Sequence, residues 1–580
     1  MRIKGLKVFF VTLLGSFLCI SISAQMRESA FQLNQRLGRG INMGNCFEAP
    51  TETEWGNPWK PEYFRIMSDL GFKHVRIPIR WEPTARTSWT APYTIAPTFL
   101  SRIKQVVDTA LKYKLHVIIN MHHHDSLFAN PEKQKARFLS QWNQIATTFR
   151  NYPDSLLFEV LNEPHDNLTA AKWNTFLADA LAEIRKTNPA RCVVIGPAEW
   201  GGLGGLNQLQ LPPDENLLLT IHYYNPFQFT HQGAEWSGAE AQNWLGTKWN
   251  DTEAERQTVE SEFRQAIQFS KDHHIPVHIG EFGAYSKADL ASRVRWTNFL
   301  ARWFEQQNFS WAYWEFSAGF GIYNPDTKQI LTSLSDALVK NPMPPAVPIQ
   351  AILLYKSNFS SGTDGWSVNF SNGAAGSWNR SGSKMNISVS NGGTEGWHIQ
   401  AVKGNIALEK GKTYRVSFTT LATADRTGTA YLGLPVDPWT AFSGYNGFNM
   451  TTTETKSVFT FVMTGNTITN ARLVFDLGKS TVGFSVYDIA VEEIRIVSTT
   501  VKNTGYRLLI YPNPAREEVF IDQLPAKAVY TICDLSGRCV ATGNLNPGKN
   551  RVPTGILKPG LWFLTIRTGK EQMNYRFVKN

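Results

Sequence analysis

The feature that most constrains the fold of this chain is a short apolar run, residues 156–161, that ends in Asn162, Glu163 and Pro164. A run of this length with so few polar residues is typical of a parallel strand that is buried on both faces. Proline has no backbone N–H to donate to a sheet, so the strand has to end by Pro164. The pattern therefore predicts that Glu163 lies at the carboxyl end of a buried strand.

Seven further segments of the same kind alternate with helical segments between residues 25 and 340. Besides the strand at residues 156–161, four predicted strands cover residues 74–79, 191–195, 217–224 and 309–314. Three more start at residues 40, 116 and 275. Eight parallel strands with helices between them predict an α/β fold, a closed (β/α)8 TIM barrel. In that fold, loops after the carboxyl ends of the strands build the site.

The chain of 580 residues is too long for a single hydrophobic core, which stops growing at about 250–300 residues. A proline-rich stretch, residues 341–350, predicts an extended linker. Residues 351–498 lose the helical period and show short alternating strands between turns rich in Gly, Asn and Ser, which predicts an all-β sandwich. Residues 506–580 predict a further small all-β domain.

The N-terminus predicts export. Residues 1–24 carry Arg2, Lys4 and Lys7, an apolar run over residues 8–20 and small residues ending at Ala24. This is the pattern of a secretory signal peptide, and the apolar run is too short for a transmembrane helix. The net charge of +10 comes from scattered basic residues rather than a basic tract, so nucleic-acid binding is not expected.

Cysteine spacing gives a further expectation for an exported chain. Cys533 and Cys539 flank a predicted hairpin turn, where they could face each other and bond in an oxidising compartment. Cys46 and Cys192 are far apart in the sequence and are expected in the core.

A second carboxylate is predicted at the end of a strand, as Glu163 is. The strand that starts at residue 275 ends in Glu281, which is followed by Phe282 and Gly283. A single glutamate at a strand end is usually only solvated. A pair of them suits glycoside hydrolysis, in which one carboxyl protonates the leaving oxygen and the other attacks the sugar or activates water.

Asn162-Glu163-Pro164 and Glu281-Phe282-Gly283 resemble the acid/base and nucleophile motifs of glycoside hydrolase family 5, the cellulase and mannanase family of (β/α)8 barrels. The resemblance runs from about Gly38 to Leu338. It implies that Glu163 is the acid/base and Glu281 the nucleophile of a retaining enzyme.

The resemblance also implies a set of residues that bind the substrate or support the carboxylates. Arg76 would keep the nucleophile ionised, His222 would neighbour the acid/base, and the Tyr224 hydroxyl would bond the nucleophile. The remaining expected contacts are to the sugar, from Asn45, Glu48, His122, His123, Asn162, Trp236 and Trp314. The alternatives are ordinary ones: turn formation for Asn45, a surface ion pair for Arg76 and core packing for Trp314.

Three consecutive histidines, His122, His123 and His124, invite a metal interpretation. Adjacent side chains of a strand point to opposite faces, so only His122 and His124 could converge. No metal and no other cofactor is therefore expected. A metal-dependent deacetylase that uses this run is a distant alternative.

The two later domains carry resemblances of their own. The predicted sandwich looks like a jelly-roll carbohydrate-binding module, with Trp366, Trp378, Trp397 and Trp439 as candidate sugar platforms and Trp397 as the first choice. The C-terminal domain resembles the sorting domain of the type IX secretion system. That resemblance implies type IX secretion machinery as a partner and export through the periplasm and outer membrane to the cell surface or medium.

These observations predict a secreted, retaining endo-β-1,4-glucanase, a cellulase that acts on a polysaccharide, with mannan and xyloglucan as further candidate substrates. The alternative is a non-catalytic carbohydrate-binding protein on the same scaffold. The presence of both carboxylates together with Arg76, His222 and Tyr224 argues for the enzyme.

Overall fold

The computed structural model describes residues 29–497, 508–534, 539–569 and 571–580. The chain divides into two compact units, one ending at Ile496 and one starting at Val497. The predicted signal peptide, residues 1–24, lies outside the described residues. Within the described ranges, no helix has the length and apolar character needed to cross a membrane.

Eight parallel strands close into a barrel, as the sequence predicts. They pair in chain order and the first pairs with the last. The strands are β1 Arg39–Asn42, β2 His74–Ile77, β3 His116–Asn120, β4 Leu156–Glu159, β5 Val193–Ile195, β6 Leu217–His222, β7 Val277–Phe282 and β8 Ser310–Tyr313.

The helices α1–α10 belong to the same barrel. They are α1 Ala30–Leu37, α2 Glu62–Leu70, α3 Pro97–Lys112, α4 Asp125–Ala129, α5 Pro131–Thr148, α6 Ala170–Arg185, α7 Phe227–Thr230, α8 Glu253–His273, α9 Leu290–Gln306 and α10 Thr332–Val339. Helix α8 begins with a signal that is readable in the sequence: Thr252 and Glu255 form a capping box, in which each side chain accepts from the other's backbone N–H.

The regular strands are shorter than the apolar runs suggest. β4 ends at Glu159, four residues before Glu163, although every residue of the strand is buried. The backbone beyond it remains anchored, because Val160 N–H donates to Val194 O at 3.1 Å and Asn162 N–H donates to Met121 O at 2.8 Å. Glu163 therefore lies on a loop that is tied to the neighbouring strands, not on the strand itself.

The remaining strands of the first unit build the predicted sandwich, after a small hairpin of β9 Tyr323–Asn324 and β10 Gln329–Ile330. One sheet has the order β13-β14-β21-β16-β19, with β11 also paired to β21, and the other has the order β12-β15-β20-β17-β18. The strands are β11 Ile349–Ser357, β12 Trp366–Phe370, β13 Ala375–Ser381, β14 Lys384–Asn391, β15 Ile399–Leu408, β16 Thr413–Ala422, β17 Arg426–Gly433, β18 Asn446–Met450, β19 Thr455–Val462, β20 Ile468–Asp476 and β21 Phe484–Ile496.

The four candidate tryptophans of the sandwich are divided between its core and its surface. Trp366 is buried against Phe475 in the core, and Trp378 packs on the edge of that core. Trp397 and Trp439 are about half exposed, at 50% and 45%. The two exposed rings therefore remain candidates for contact with a sugar.

The second unit is all-β, with sheet orders β22-β23-β26 and β25-β24-β27-β28. Its strands are β22 Leu509–Tyr511, β23 Glu518–Leu524, β24 Ala528–Cys533, β25 Cys539–Leu545, β26 Gly548–Pro553, β27 Gly560–Thr568 and β28 Glu571–Lys579. Cys533 and Cys539 are paired across β24 and β25, with their sulfur atoms 2.8 Å apart. The two thiols thus face each other, and an oxidised pair stays a prediction.

The buried Arg191 ties the loop after α5 to the start of β5. Its guanidinium donates to the Asn188 side chain and to four backbone carbonyls, those of Phe149, Tyr152, Pro153 and Leu156. We expect Arg191→Lys to destabilise the barrel by about 2–4 kcal/mol, because a single ammonium leaves several buried carbonyls without a donor.

Thermal unfolding monitored by near-UV circular dichroism measures this effect. Arg65→Lys is the matched control, since Arg65 pairs with Asp69 at the exposed surface of α2, and this change is expected to alter stability by less than about 1 kcal/mol. Equal stability of the two variants would contradict the structural role of Arg191.

Candidate active site

Arg76, on β2, is the centre of the site. Its side chain is completely buried, and its Nε and Nη2 donate to the two carboxylate oxygens of Glu159 at 2.6 Å. Nη1 donates to Glu281 Oε1 at 2.7 Å and to Asn42 Oδ1 at 2.9 Å, and Nη2 also reaches Asn162 Oδ1 at 2.7 Å. Burial lowers the pKa of Arg76, but the two carboxylates raise it more, so the guanidinium stays charged.

Glu281 lies on β7 and is held from two sides. Its Oε1 accepts from Arg76, and its Oε2 accepts from the Tyr224 hydroxyl at 2.8 Å. Burial and the nearby carboxylates raise the pKa of Tyr224 well above its usual value, so this hydroxyl keeps its proton and remains a donor. Only 6% of the Glu281 side chain is exposed, and both of its oxygens are thereby fixed in place.

Glu163 lies across from Glu281 and makes a different contact. Its Oε1 is 2.7 Å from His222 Nδ1, and the same nitrogen is 3.7 Å from Glu281 Oε2. Gly201 permits this arrangement: its φ is +66°, and a Cβ there would lie 3.4 Å from Glu163 Cγ and 3.6 Å from His222 Cγ. Gly201 O also accepts from His222 N–H, which fixes the histidine backbone.

The electrostatics of the two carboxylates differ from the expectation that Arg76 and Tyr224 give Glu281 the lower pKa. Burial raises the pKa of Glu281, and Glu163 adds to this, while His222, Arg76 and Tyr224 oppose it; the pKa remains raised. Burial also raises the pKa of Glu163, but the hydrogen bond and charge of His222 lower it more. The difference arises because His222 is closer to Glu163 than to Glu281.

His222 and Glu163 form a short hydrogen-bonded pair. Burial lowers the pKa of His222, but the charge of Glu281 and the hydrogen bond to Glu163 raise it above its usual value. The raised pKa favours a proton on His222, which can be donated in the hydrogen bond to Glu163.

The spacing of the two acids bears on the chemistry available to them. One ligand atom from each of Glu163, His222 and Glu281 can be chosen so that all three lie within 4.8 Å of one another. Retaining glycosidases have carboxyls about 5–5.5 Å apart, and inverting ones about 6.5–9.5 Å. The same cluster has the spacing of a metal site, but the Arg76 guanidinium already binds Glu281 and would repel a cation.

His122 and Trp314 form one wall of the cleft. The two rings stack at 5.7 Å with an interplanar angle of 13°, and Trp314 is partly exposed. Gly44 allows the close approach, since a Cβ there would lie 3.1 Å from the Trp314 ring. His123 is half-buried and contacts the edge of Trp55, an exposed residue not selected from the sequence.

His124 does not join the other two histidines. It is fully buried and its Nε2 lies 3.1 Å from Gln141 Oε1 on α5. His122 instead lies beside Asn120, with Nδ1 3.1 Å from its side-chain nitrogen. The three rings of the run thus have separate partners, which argues against the metal interpretation.

Asn45 and Glu48 lie on the loop after β1. The Glu48 carboxylate is buried and accepts the backbone N–H groups of Asn45 and Cys46, and burial raises its pKa to about 8. Glu315, just after β8, is used in the same way: it accepts the N–H groups of Ser317, Ala318 and Phe320. Both carboxylates hold their own loops.

Trp236 lies on the long loop before α8 and is 59% exposed. Its ring contacts the Tyr285 edge at 4.8 Å. Two further exposed aromatic side chains were not selected from the sequence: Trp200 in the loop after β5, which stacks on His165 at 3.6 Å, and Phe227 on α7, which stacks on His231 at 4.0 Å.

Sequence reasoning missed Glu159, Asn42 and Asn120. Glu159 and Asn42 bind Arg76, while Asn120 donates to Glu159 Oε1 at 3.3 Å. The available signal was a polar residue within or at the end of an apolar barrel strand. Such a residue points into the barrel and needs a partner there.

Three family models match consecutive parts of the chain. "Cellulase (glycosyl hydrolase family 5)" matches residues 39–319, "Carbohydrate binding domain" residues 351–482 and "Secretion system C-terminal sorting domain" residues 509–580. The sandwich is therefore a carbohydrate-binding domain, and the second unit is a secretion sorting domain.

Individual relatives cover the barrel. Endoglucanase H of Acetivibrio thermocellus is 37% identical over 315 residues, which are 53% of this chain and 33% of that protein. The chain thus spans about a third of the length of this curated relative. Solved structures of Thermotoga maritima Cel5A, with cellobiose and with mannotriose, are each 47% identical, cover 53% of this chain and 100% of their own, and have a TM-score of 0.52.

The eight-stranded barrel, the paired carboxylates at its carboxyl-terminal face and these matches agree with one another, and the chain belongs to glycosyl hydrolase family 5.

Proposed function

We propose that the chain is a secreted endo-β-1,4-glucanase that retains the configuration of the sugar it cuts. The observation that carries this proposal is the different support of two close carboxylates: Glu281 accepts from Arg76 and Tyr224, whereas Glu163 is hydrogen-bonded to His222. The endoglucanase relatives support the choice of a glucan. The sorting domain supports export across the outer membrane.

In the first step, Glu163 gives its proton to the glycosidic oxygen as that bond breaks, and a Glu281 oxygen forms a bond to the anomeric carbon. The contact with His222 lets the shared proton move onto Glu163 for this transfer. In the second step, Glu163 takes a proton from water, the water oxygen bonds to the anomeric carbon, and Glu281 leaves as a carboxylate.

The same geometry indicates which residues contact the substrate. Trp314, stacked on His122, offers an aromatic face beside the carboxylates for the apolar face of a sugar ring. Asn162, held by Arg76, lies next to Glu163, where it can meet a sugar hydroxyl. His123, Asn45 and the exposed Trp236 are proposed to contact more distant sugars, and Glu48 to hold the loop that presents Asn45.

Mannan is a second candidate substrate because a relative 47% identical to the barrel has been crystallised with mannotriose. Purified protein is expected to release reducing ends from soluble β-1,4-glucan, and a slower release from mannan would add the second activity. Glu281→Gln should abolish release from both. Failure of the unmodified protein to act on any of a panel of glucan, mannan and xyloglucan would support the non-catalytic alternative.

Azide rescue assigns the two acids. With an activated aryl glycoside, Glu163→Ala plus azide is expected to give a β-glycosyl azide, because Glu281 still forms the covalent intermediate. Glu281→Ala plus azide should give the α-azide, because azide then attacks directly. Glu199→Ala, which removes an exposed carboxylate in the loop after β5, is the control and should form no azide product. The reverse pattern would exchange the roles.

The pH profile of kcat/KM tests the hydrogen bond from Tyr224. This bond lowers the pKa of Glu281, so Tyr224→Phe should raise that pKa and move the acid limb to higher pH. A bond to a charged group of about 1.5–3 kcal/mol corresponds to a shift of about one to two pH units. Tyr223→Phe is the control, since that hydroxyl donates to Glu262 instead. An unmoved acid limb in Tyr224→Phe would remove Glu281 as its source.

The alkaline limb tests the proton shared with Glu163. Since the pKa of His222 is raised, the pair keeps its proton to a higher pH than an isolated carboxyl would. His222→Gln removes the group that holds this proton at high pH, so the alkaline limb should move to lower pH and kcat/KM at neutral pH should fall. An alkaline limb that stays in place would contradict the shared proton.

A further inference from the structure

The carbohydrate-binding domain is seated on one face of barrel helix α8. Five α8 residues make hydrogen bonds to this domain. They recur three or four positions apart and so share one side of the helix. Thr258 and Thr460 hydroxyls are 3.0 Å apart, Ser261 Oγ accepts from Val458 N–H, and Gln265 accepts from Asn449 at 2.7 Å. Arg264 donates to Lys456 O, and Gln257 accepts from Arg415.

The proline-rich segment before β11 is also held against the barrel. Arg256 donates to Pro344 O at 3.0 Å, Asn298 donates to Pro342 O at 3.2 Å, and Val347 N–H donates to Asp251 O at 2.8 Å. The domain is therefore fixed to the barrel at α8 and along its connection.

The loop between β17 and β18, residues 434–445, reaches the catalytic face of the barrel. A Cβ on Gly444 would lie 3.4 Å from Gln228 Nε2, on α7, the short helix that follows Tyr224. The loop exposes Val436, Trp439 and Tyr445, at 60%, 45% and 66%. These side chains have support: the guanidinium of Arg472 lies 4.4 Å from the Trp439 ring, and Tyr445 lies against Tyr431 at 4.9 Å.

Aromatic contacts connect α7, the helix that this loop touches, to the catalytic carboxylates. Phe227, next to Gln228, is 40% exposed and stacks on His231 at 4.0 Å. His231 meets the Tyr224 ring at 5.0 Å, and Tyr224 bonds Glu281. A path of aromatic side chains thus runs from the carboxylates to the point where the two domains touch.

We propose that the loop of residues 434–445 is the distal part of the catalytic cleft, and that one β-linked glycan chain lies across Phe227 and onto Tyr445 and Trp439 while it is cut in the barrel. Exposed aromatic rings offer flat faces to sugar rings, and the α8 contacts hold them at a constant distance from Glu163 and Glu281. The domain then acts within the site as well as binding polysaccharide separately. The proposal rests on the proposed glycanase activity.

The test uses the full chain and soluble β-1,4-gluco-oligosaccharides of increasing length, with an aryl cellobioside as the short substrate. Tyr445→Ala with Trp439→Ala should reduce kcat/KM about tenfold on the longest oligosaccharides, the effect of one lost contact of about 1.4 kcal/mol, and leave the aryl cellobioside unchanged. Leu353→Ala is the control, since it removes an exposed apolar side chain of the same domain on β11, outside this loop, and it should leave both rates unchanged.

A second variant tests the fixed placement. Ser261→Trp puts a large side chain into the α8 contact and should produce the same selective loss on long oligosaccharides, with melting curves confirming that the barrel is folded. If the variant with Tyr445→Ala and Trp439→Ala had the same kcat/KM as the unmodified protein at every oligosaccharide length, the proposal would be overturned. It would also be overturned if that variant lost activity on long oligosaccharides and Ser261→Trp did not. If the unmodified protein cut no glucan, the proposed function itself would fail, which is a distinct result.

Discussion

The buried guanidinium of Arg76 is the interaction on which the site depends. A charge without access to water is tolerated only when its donors all find acceptors, and here they find Glu159, Glu281, Asn42 and Asn162. These partners lie on or just after β1, β4 and β7, so the closed barrel is what assembles them. The same contacts that satisfy the charge set the position of Glu281 and of the loop that carries Glu163.

Much of this architecture could be predicted from the chain. The apolar strands specify the barrel because their period and length leave few other solutions, and the motifs around Glu163 and Glu281 mark their carboxyl ends. Glu159 was missed for a physical reason: its partner Arg76 is 83 residues away, and no local pattern distinguishes an inward carboxylate from a solvated one. Helix α8 has a weak apolar signal because its outer face is polar, although its capping box marks its start.

The electrostatic expectation shows where sequence reasoning stops. Knowing that Arg76 and Tyr224 contact Glu281 identified its partners, but not the opposing effect of burial and of Glu163 on its pKa, nor that His222 lies 2.7 Å from Glu163 and 3.7 Å from Glu281. An ångström of separation between side chains from β6, β7 and the loop after β4 decides which carboxyl forms the hydrogen bond with His222. Such a difference arises from tertiary packing, of which the sequence carries no direct record.

Helix α8 makes contacts on two sides, with the barrel and with the sandwich, and this limits how the domains can be exchanged between proteins. Its inner side packs Val259 and Phe263 into the barrel, while its outer side meets the sandwich through hydroxyl, amide and guanidinium groups. An outer helix of a barrel is ordinarily free to change wherever it faces water. Here a binding domain transplanted onto another barrel would have to bring the outer face of α8 with it, so the unit of exchange is the sandwich together with one barrel helix.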